Sequence, residues 1–217
     1  MESLEHPAYF EYGETEMNHL IKRDKKLGAV ITRVGKINRL VNTDVFSSLV
    51  ESIIGQQISA KAADTVCRKL RGLCGTDAGK LSVMSVGEIQ SCGMSMRKAG
   101  YVKGVADAAA SNAVNFEALR DMSDGDVIKA LTNLKGVGVW TAEMLLIFSL
   151  LRPDIVSYGD LAIRRSIMRL YNLKELSADR FDRYKKRYSP YGSVASLYLW
   201  YISALEIAEI TELSSGC

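Results

Sequence analysis

The chain has 217 residues, 47% of them hydrophobic, with 28 Lys and Arg against 25 Asp and Glu and a net charge of +3. That length can bury a sizeable core as one domain or two small lobes, while so mild a charge is no argument by itself for a nucleic-acid partner. The only histidines, His6 and His19, lie near the N-terminus, which argues against a His-based triad or a His-rich zinc site.

In chain order, Asn42 or Thr43 is expected to cap a helix with Phe46, Leu49, Val50, Ile53 and Ile54 on one face. Ser59 is expected to cap the next, with Ala63, Val66, Cys67 and Leu70 inward. Shorter helices fit 85–91, 96–112 and 115–120. Ser123 can cap a helix to about Leu134 that carries Val127, Ala130 and Leu131 on one face, with Asp126 favoured by the helix dipole. A further helix runs from about Val139 to Leu151, where Pro153 stops it. The last long helix begins after Pro190, with Val194, Leu197, Tyr198, Tyr201, Ile202 and Leu205 in a stripe. Trp200 falls about 130° from that stripe's centre, so its indole needs a partner off the core face. No strand pattern, repeat or low-complexity linker emerges, and the fold class expected is all-α. The tail Ser214–Cys217 is expected to fray.

Between the Ser123 helix and its successor stands Leu134-Lys135-Gly136-Val137-Gly138-Val139-Trp140-Thr141-Ala142. Gly136 and Gly138 allow a tight turn, and the open N–H groups of the following helix favour an anion. Taken alone, Gly-Val-Gly suits an ordinary helix-turn-helix connection better. Downstream, Asp160 follows Gly159 at a helix start, an ordinary N-cap pattern in which the dipole also favours the ionised form. Asp154, after Pro153, is the rival acid and is read as a loop residue. Residues 160–190 carry an excess of five positive charges, including Arg164, Arg165, Arg169, Lys185, Lys186 and Arg187. Such a run is either a solvated helix face or a phosphate contact. Cys67 and Cys74 stand six residues apart, and Cys92 and Cys217 complete the set. With no signal peptide or transmembrane stretch in the sequence, reduced cytosolic thiols, a cytoplasmic protein and no membrane partner are expected, nucleoid-associated if bacterial.

Four motifs in register carry a resemblance: the Leu134–Ala142 string with the loop Arg152–Asp160, then Gly55-Gln56-Gln57-Ile58-Ser59, then Gly93-Met94-Ser95-Met96-Arg97-Lys98-Ala99, and Ser189-Pro190-Tyr191 with Trp200. From about residue 12 to about 206, the chain resembles the helix-hairpin-helix DNA glycosylases of base excision, in their 3-methyladenine DNA glycosylase II branch. It is similar to a minimal form without the N-terminal sheet domain of longer bacterial members. The resemblance implies two helical lobes with a cleft between them, about 41–154 holding the hairpin and 1–40 plus 155–217 forming the other.

It further implies a monomeric enzyme that hydrolyses the N-glycosidic bond of alkylated purines in duplex DNA by base flipping, leaving an abasic site. Asp160 would be the catalytic carboxylate. Trp140 and Trp200, with Tyr158 and Tyr191 as lesser candidates, would line the base pocket. Gly136, Val137 and Gly138 would bind phosphate through backbone amides, helped by Lys135, Thr141, Arg164 and Arg165. In strand-cutting relatives a nucleophilic Lys stands where this chain has Trp140, so no lyase step is implied. Gln57, beside Ile58, occupies the wedge position that is apolar in the best-known bacterial relatives, and it suits a hydrogen bond to the orphaned base or simply a loop amide. The Cys67–Cys74 spacing matches the first pair of an iron–sulfur loop in some relatives, but the remaining cysteines are absent and no cluster is expected. No metal or required cofactor is expected, with a monovalent cation on the hairpin carbonyls as the one optional group. Two alternatives stay open: a glycosylase for oxidised, deaminated or etheno bases, and a helix-hairpin-helix DNA-binding protein without catalysis.

Overall fold

The computed structural model describes residues 8–206, 209 and 210, which leaves His6 and the Ser214–Cys217 tail outside the described residues. It is helical throughout, and among the described residues the only strand-like pairing is one antiparallel bridge between Tyr9 and Leu40. No helix among them is long and apolar enough to cross a membrane. The chain forms two compact units, Asn42–Leu150 and the residues on either side of it.

In the outer unit lie α1 (Glu14–Arg23), α2 (Lys25–Val34), α10 (Leu161–Tyr171), α11 (Ala178–Tyr188) and α12 (Gly192–Ser203). In the inner unit lie α3 (Val45–Gly55), α4 (Ala60–Cys74), α5 (Ala78–Val83), α6 (Val86–Ser91), α7 (Met96–Ala110), α8 (Asp124–Thr132) and α9 (Val139–Phe148), with a 3-10 turn at Ala118–Asp121.

The inner unit's helices other than α9 begin where a side chain can take the first free N–H groups. Ser59, Ser85, Ser95 and Ser123 cap α4, α6, α7 and α8. α3 corrects the expected cap. Asp44 accepts from Ser47 N at 2.9 Å, whereas Asn42 accepts from Asp44 N at 3.0 Å and so builds the turn before the helix. The helix expected at 115–120 is only the 3-10 turn, entered as Asn115 accepts from Ala118 N. α9 ends at Phe148, short of the expected Leu151. The N–H groups of Ser149 and Leu150 both bond Leu145 O at 2.9 Å, and Leu151 turns left-handed at φ +57°. Pro153 is therefore not what stops it.

The core of the outer unit is α12, whose residues from Gly192 to Leu199 are all buried. The expected stripe holds for Val194, Leu197, Tyr198 and Ile202, but Tyr201 is exposed and Leu205 half-buried, because the helix emerges from the core at its end. Residues 151–154, expected to close the hairpin lobe, belong instead to this unit. The reason is a set of polar bonds to α12. Ser193 N donates to Pro153 O at 2.9 Å, and Ser193 Oγ donates to Arg152 O at 2.5 Å while accepting from Ile155 N at 3.0 Å. Ser196 Oγ donates to Ile155 O at 2.9 Å. Serines on a buried helix thus satisfy the backbone of a loop that runs from the surface into the core at Ile155.

Asp24, buried, caps α2 through the N–H groups of Lys26 and Leu27 and clasps α10 and α11 by accepting from Tyr171 Oη and from Arg187 Nη1 at 2.9 Å. Burial drives the Tyr171 and Tyr188 phenols far above their ordinary pKa, so both stay protonated donors.

Cys67, Cys74 and Cys92 are free and buried in the inner unit. Burial pushes all three thiols up, with Glu51 adding to the effect at Cys67 and Cys92 at Cys74. Since the thiolate is the reactive form, they should alkylate slowly. In a Cys217→Ser protein at neutral pH, iodoacetamide should label the native chain at least about tenfold more slowly than the guanidinium-unfolded chain. Mass spectrometry showing rapid native labelling at any of the three would contradict this packing.

Candidate functional site

In the inner unit the hairpin is shaped by one forced glycine. Gly136 sits at φ +86°, and a Cβ there would lie 2.3 Å from Tyr101 Cδ2. Val137 is buried and anchors the turn, its N–H bonded to Leu134 O at 3.1 Å. Gly138 caps α9 without a side chain, and its carbonyl takes the first helical bond, from Ala142 N at 3.1 Å. Among the described residues no acceptor meets the N–H groups of Gly138 and Val139. The helix start therefore presents open donors and the positive end of a dipole, the arrangement that binds a phosphate. Lys135 is exposed beside it. Trp140 stands on the first turn of α9 with 43% of its surface exposed, an unusual position for an indole that serves only the core. Thr141 is buried, and what it can offer an anion is the backbone N–H of the first turn.

The loop after α3 lies against the same hairpin. Gln56 Nε2 donates to Gly136 O at 2.9 Å. Lys98, from the first turn of α7, donates to Ile54 O at 2.8 Å and to Gln56 O. Burial first, and the neighbouring Arg97 charge second, pull the Lys98 pKa below that of an ordinary lysine. The tip of the loop is exposed, with Gln57 left-handed at φ +59° and Ile58 42% exposed. Lys98, Gln56 and Tyr101 were not singled out from sequence; Lys98 and Gln56 lie inside quoted motifs, but nothing in spacing shows that they reach a second loop.

In the outer unit Asp160 is 6% exposed. Its Oδ1 accepts from Ile163 N at 2.9 Å as the cap of α10, and its Oδ2 accepts from Trp200 Nε1 at 3.1 Å. Trp200 is thus brought to the carboxylate itself, and the off-stripe position that demanded a partner is answered by Asp160. Ser166 Oγ donates to Leu199 O at 2.6 Å, locking α10 to α12 one residue before Trp200. Donors on both oxygens of a nearly buried carboxylate fix its direction.

Asp154, the rival acid, is committed elsewhere: Oδ2 accepts from Ser189 Oγ at 2.5 Å and Oδ1 from Gly192 N at 3.0 Å. A Cβ on Gly192 would lie 2.7 Å from Asp154 Oδ1, so the close approach of loop and helix requires glycine. Tyr158 is 40% exposed, with its ring edge-on to Phe181 at 5.1 Å and the Arg164 guanidinium 5.2 Å from its centroid. Arg164 is half-buried on that ring, while Arg165 is exposed. Tyr191 packs edge-on against His19 at 5.2 Å, and His19 Nε2 lies 3.0 Å from Ser189 O. Both serve packing around the Ser189–Gly192 turn. Among the described residues no three His, Cys, Asp or Glu side chains converge as a metal site.

The pattern of HhH-GPD superfamily base excision DNA repair proteins matches residues 50–189. The chain belongs to this superfamily. It is 29% identical over 196 residues to DNA-3-methyladenine glycosylase 1 of Schizosaccharomyces pombe, with 86% of each chain covered. A crystal structure of a DNA-3-methyladenine glycosidase from Bacillus halodurans superposes with a TM-score of 0.82 at 31% identity, over 94% of this chain and 99% of that one. The S. pombe 3-methyladenine DNA glycosylase in complex with abasic DNA superposes with a TM-score of 0.76 at 27% identity, over 89% and 98%. As a member of the HhH-GPD superfamily, the chain holds the hairpin in its inner unit and Asp160 in its outer one.

Proposed function

We propose that this protein is a monofunctional DNA glycosylase that hydrolyses the N-glycosidic bond of alkylated purines such as 3-methyladenine in duplex DNA. The observation that carries the reading is the Asp160 carboxylate, nearly buried at a helix start and held by two N–H donors. Its likeness to proteins named 3-methyladenine glycosylases supports the substrate class.

An alkylated purine is already cationic. The C1′–N bond breaks with its electron pair going to the base, which leaves neutral. Positive charge develops on the sugar beside the Asp160 carboxylate, which stabilises it and accepts a proton as water adds to C1′. The product is an abasic site. Trp140 offers the flipped base an aromatic face, which suits a cation. Having no amine, Trp140 forms no Schiff base, and the strand stays intact. Trp200 aims the carboxylate. The hairpin amides, with Lys135 and Arg165, grip phosphate, and Gln57 and Ile58 enter the stack or meet the orphaned base. The enzyme works as a monomer and no step needs a cofactor. The hairpin carbonyls, with one lone pair of Gly136 O taken by Gln56, would hold an optional monovalent cation.

The test is base release from methylated duplex DNA, with products resolved by chromatography. Release of 3-methyladenine is expected. A folded protein that releases no alkylated base would redirect the reading to another lesion, or to DNA binding alone.

A further inference from the structure

The segment Gln56–Ser59 is not held by its own backbone. Its local bonds, Gln56 N to Ile53 O and Ile58 N to Gly55 O, are both 3.4 Å, at the weak end of the range. Yet Gln57 is left-handed without being glycine, a conformation that persists only when the surroundings impose it. What imposes it comes from outside the loop. The Lys98 ammonium bonds the Gln56 carbonyl in the loop and the Ile54 carbonyl in the last turn of α3, and charge-assisted bonds of this kind are the strong ones. The Gln56 side chain then spans to Gly136 O, eighty residues on. Tyr101 stands one turn beyond Lys98 on α7 and presses on Gly136. One face of one helix therefore sets both the loop tip and the phosphate-facing turn.

We propose that Lys98 and Gln56 are positioning residues that tie the exposed Gln57-Ile58 tip to the hairpin, so that gripping the DNA backbone fixes where the tip meets the base stack. This rests on the glycosylase reading above and assigns the pair to lesion extrusion rather than to bond breaking. A lysine that merely stabilised α3 would lower activity on every substrate alike. A tie between grip and tip matters most where the lesion must be pulled from a pair, and least where no partner holds it.

The test uses the full chain as wild type, Lys98→Met, Lys98→Arg and Gln56→Ala, with melting curves to establish folding. Single-turnover base release is measured from one duplex with the lesion facing thymine and from a second with the lesion facing an abasic gap. Lys98→Met and Gln56→Ala should lose at least about tenfold on the paired lesion and less than about threefold on the unpaired one, with Lys98→Arg recovering part of the loss. If Lys98→Met does not fold, Gln56→Ala carries the test, since it removes only the bond to Gly136. Equal losses on both duplexes, or none on either, overturn the tie. A wild type that releases no base from either duplex defeats the glycosylase reading instead, and the two failures are distinct.

Discussion

Asp160→Asn is expected to slow single-turnover base release by about 10²–10³-fold, the scale for removing one electrostatic stabiliser of a transition state. The carboxylate meets two donors, Ile163 N–H and Trp200 Nε1–H, with one oxygen each. Asn keeps the shape and is as good a cap as Asp, but it has one acceptor for two donors. One buried N–H is left unpaired, at a cost of about 1–3 kcal/mol. The variant should therefore fold with a lower melting temperature as well as losing activity. Trp200→Phe separates the two effects. It keeps a ring in place, removes the N–H, and should slow release by about tenfold through a less well aimed carboxylate. Combining both changes should restore part of the lost thermal stability and none of the activity, since the unpaired donor is then gone. Undiminished release by Asp160→Asn would remove this residue from the chemistry.

The largest stability effect is expected at Gly136. Alanine there places a Cβ 2.3 Å from a rigid tyrosine ring and holds a non-glycine residue at φ +86°. The collision costs about 1–3 kcal/mol and the dihedral a further 1–2 kcal/mol. Urea unfolding should show Gly136→Ala destabilised by several kcal/mol, with DNA affinity reduced because the turn that exposes the amides is displaced. Tyr101→Ala in the same background should return the collision part and leave the dihedral part. Gly138→Ala, whose Cβ meets no atom within 4 Å, should cost only about 1 kcal/mol as a poorer cap. A Gly136→Ala protein as stable as wild type would mean that the hairpin adopts another turn.

Much of this architecture is legible in the sequence because it is local. Capping serines before apolar periodic runs give α4 and α8 directly, the expected ranges 85–91 and 96–112 hold α6 and α7, and Gly159-Asp160 marks the start of α10. α1, α2 and α5 escape the same reading. The first two pass without a loop through Asp24, which ends one helix and caps the next, so no turn residues mark the joint. The site is legible where one residue carries its own reason, as Asp160 and Gly136 do. It is illegible where the reason lies far along the chain. Trp200 announces that it needs a partner, but the sequence does not say that the partner is the acid forty residues before it. Thr141 follows the hairpin glycines as a binding residue would, yet helix rotation turns it inward. The sequence reads Asp154 as a loop residue after Pro153, but the hydroxyl and amide that occupy it come from 35 and 38 residues along the chain.

The two units also differ in when they can be made. Asn42–Leu150 is one uninterrupted stretch, complete in itself once synthesised. The unit bearing Asp160 waits for α12, because its loop, its acid and its core are all held by residues from Ser193 to Trp200. On a ribosome, where the N-terminal parts of a chain emerge first, the phosphate grip can exist well before the acid is aimed. On this plan every residue of the phosphate-facing turn is synthesised before the helix that aims the acid.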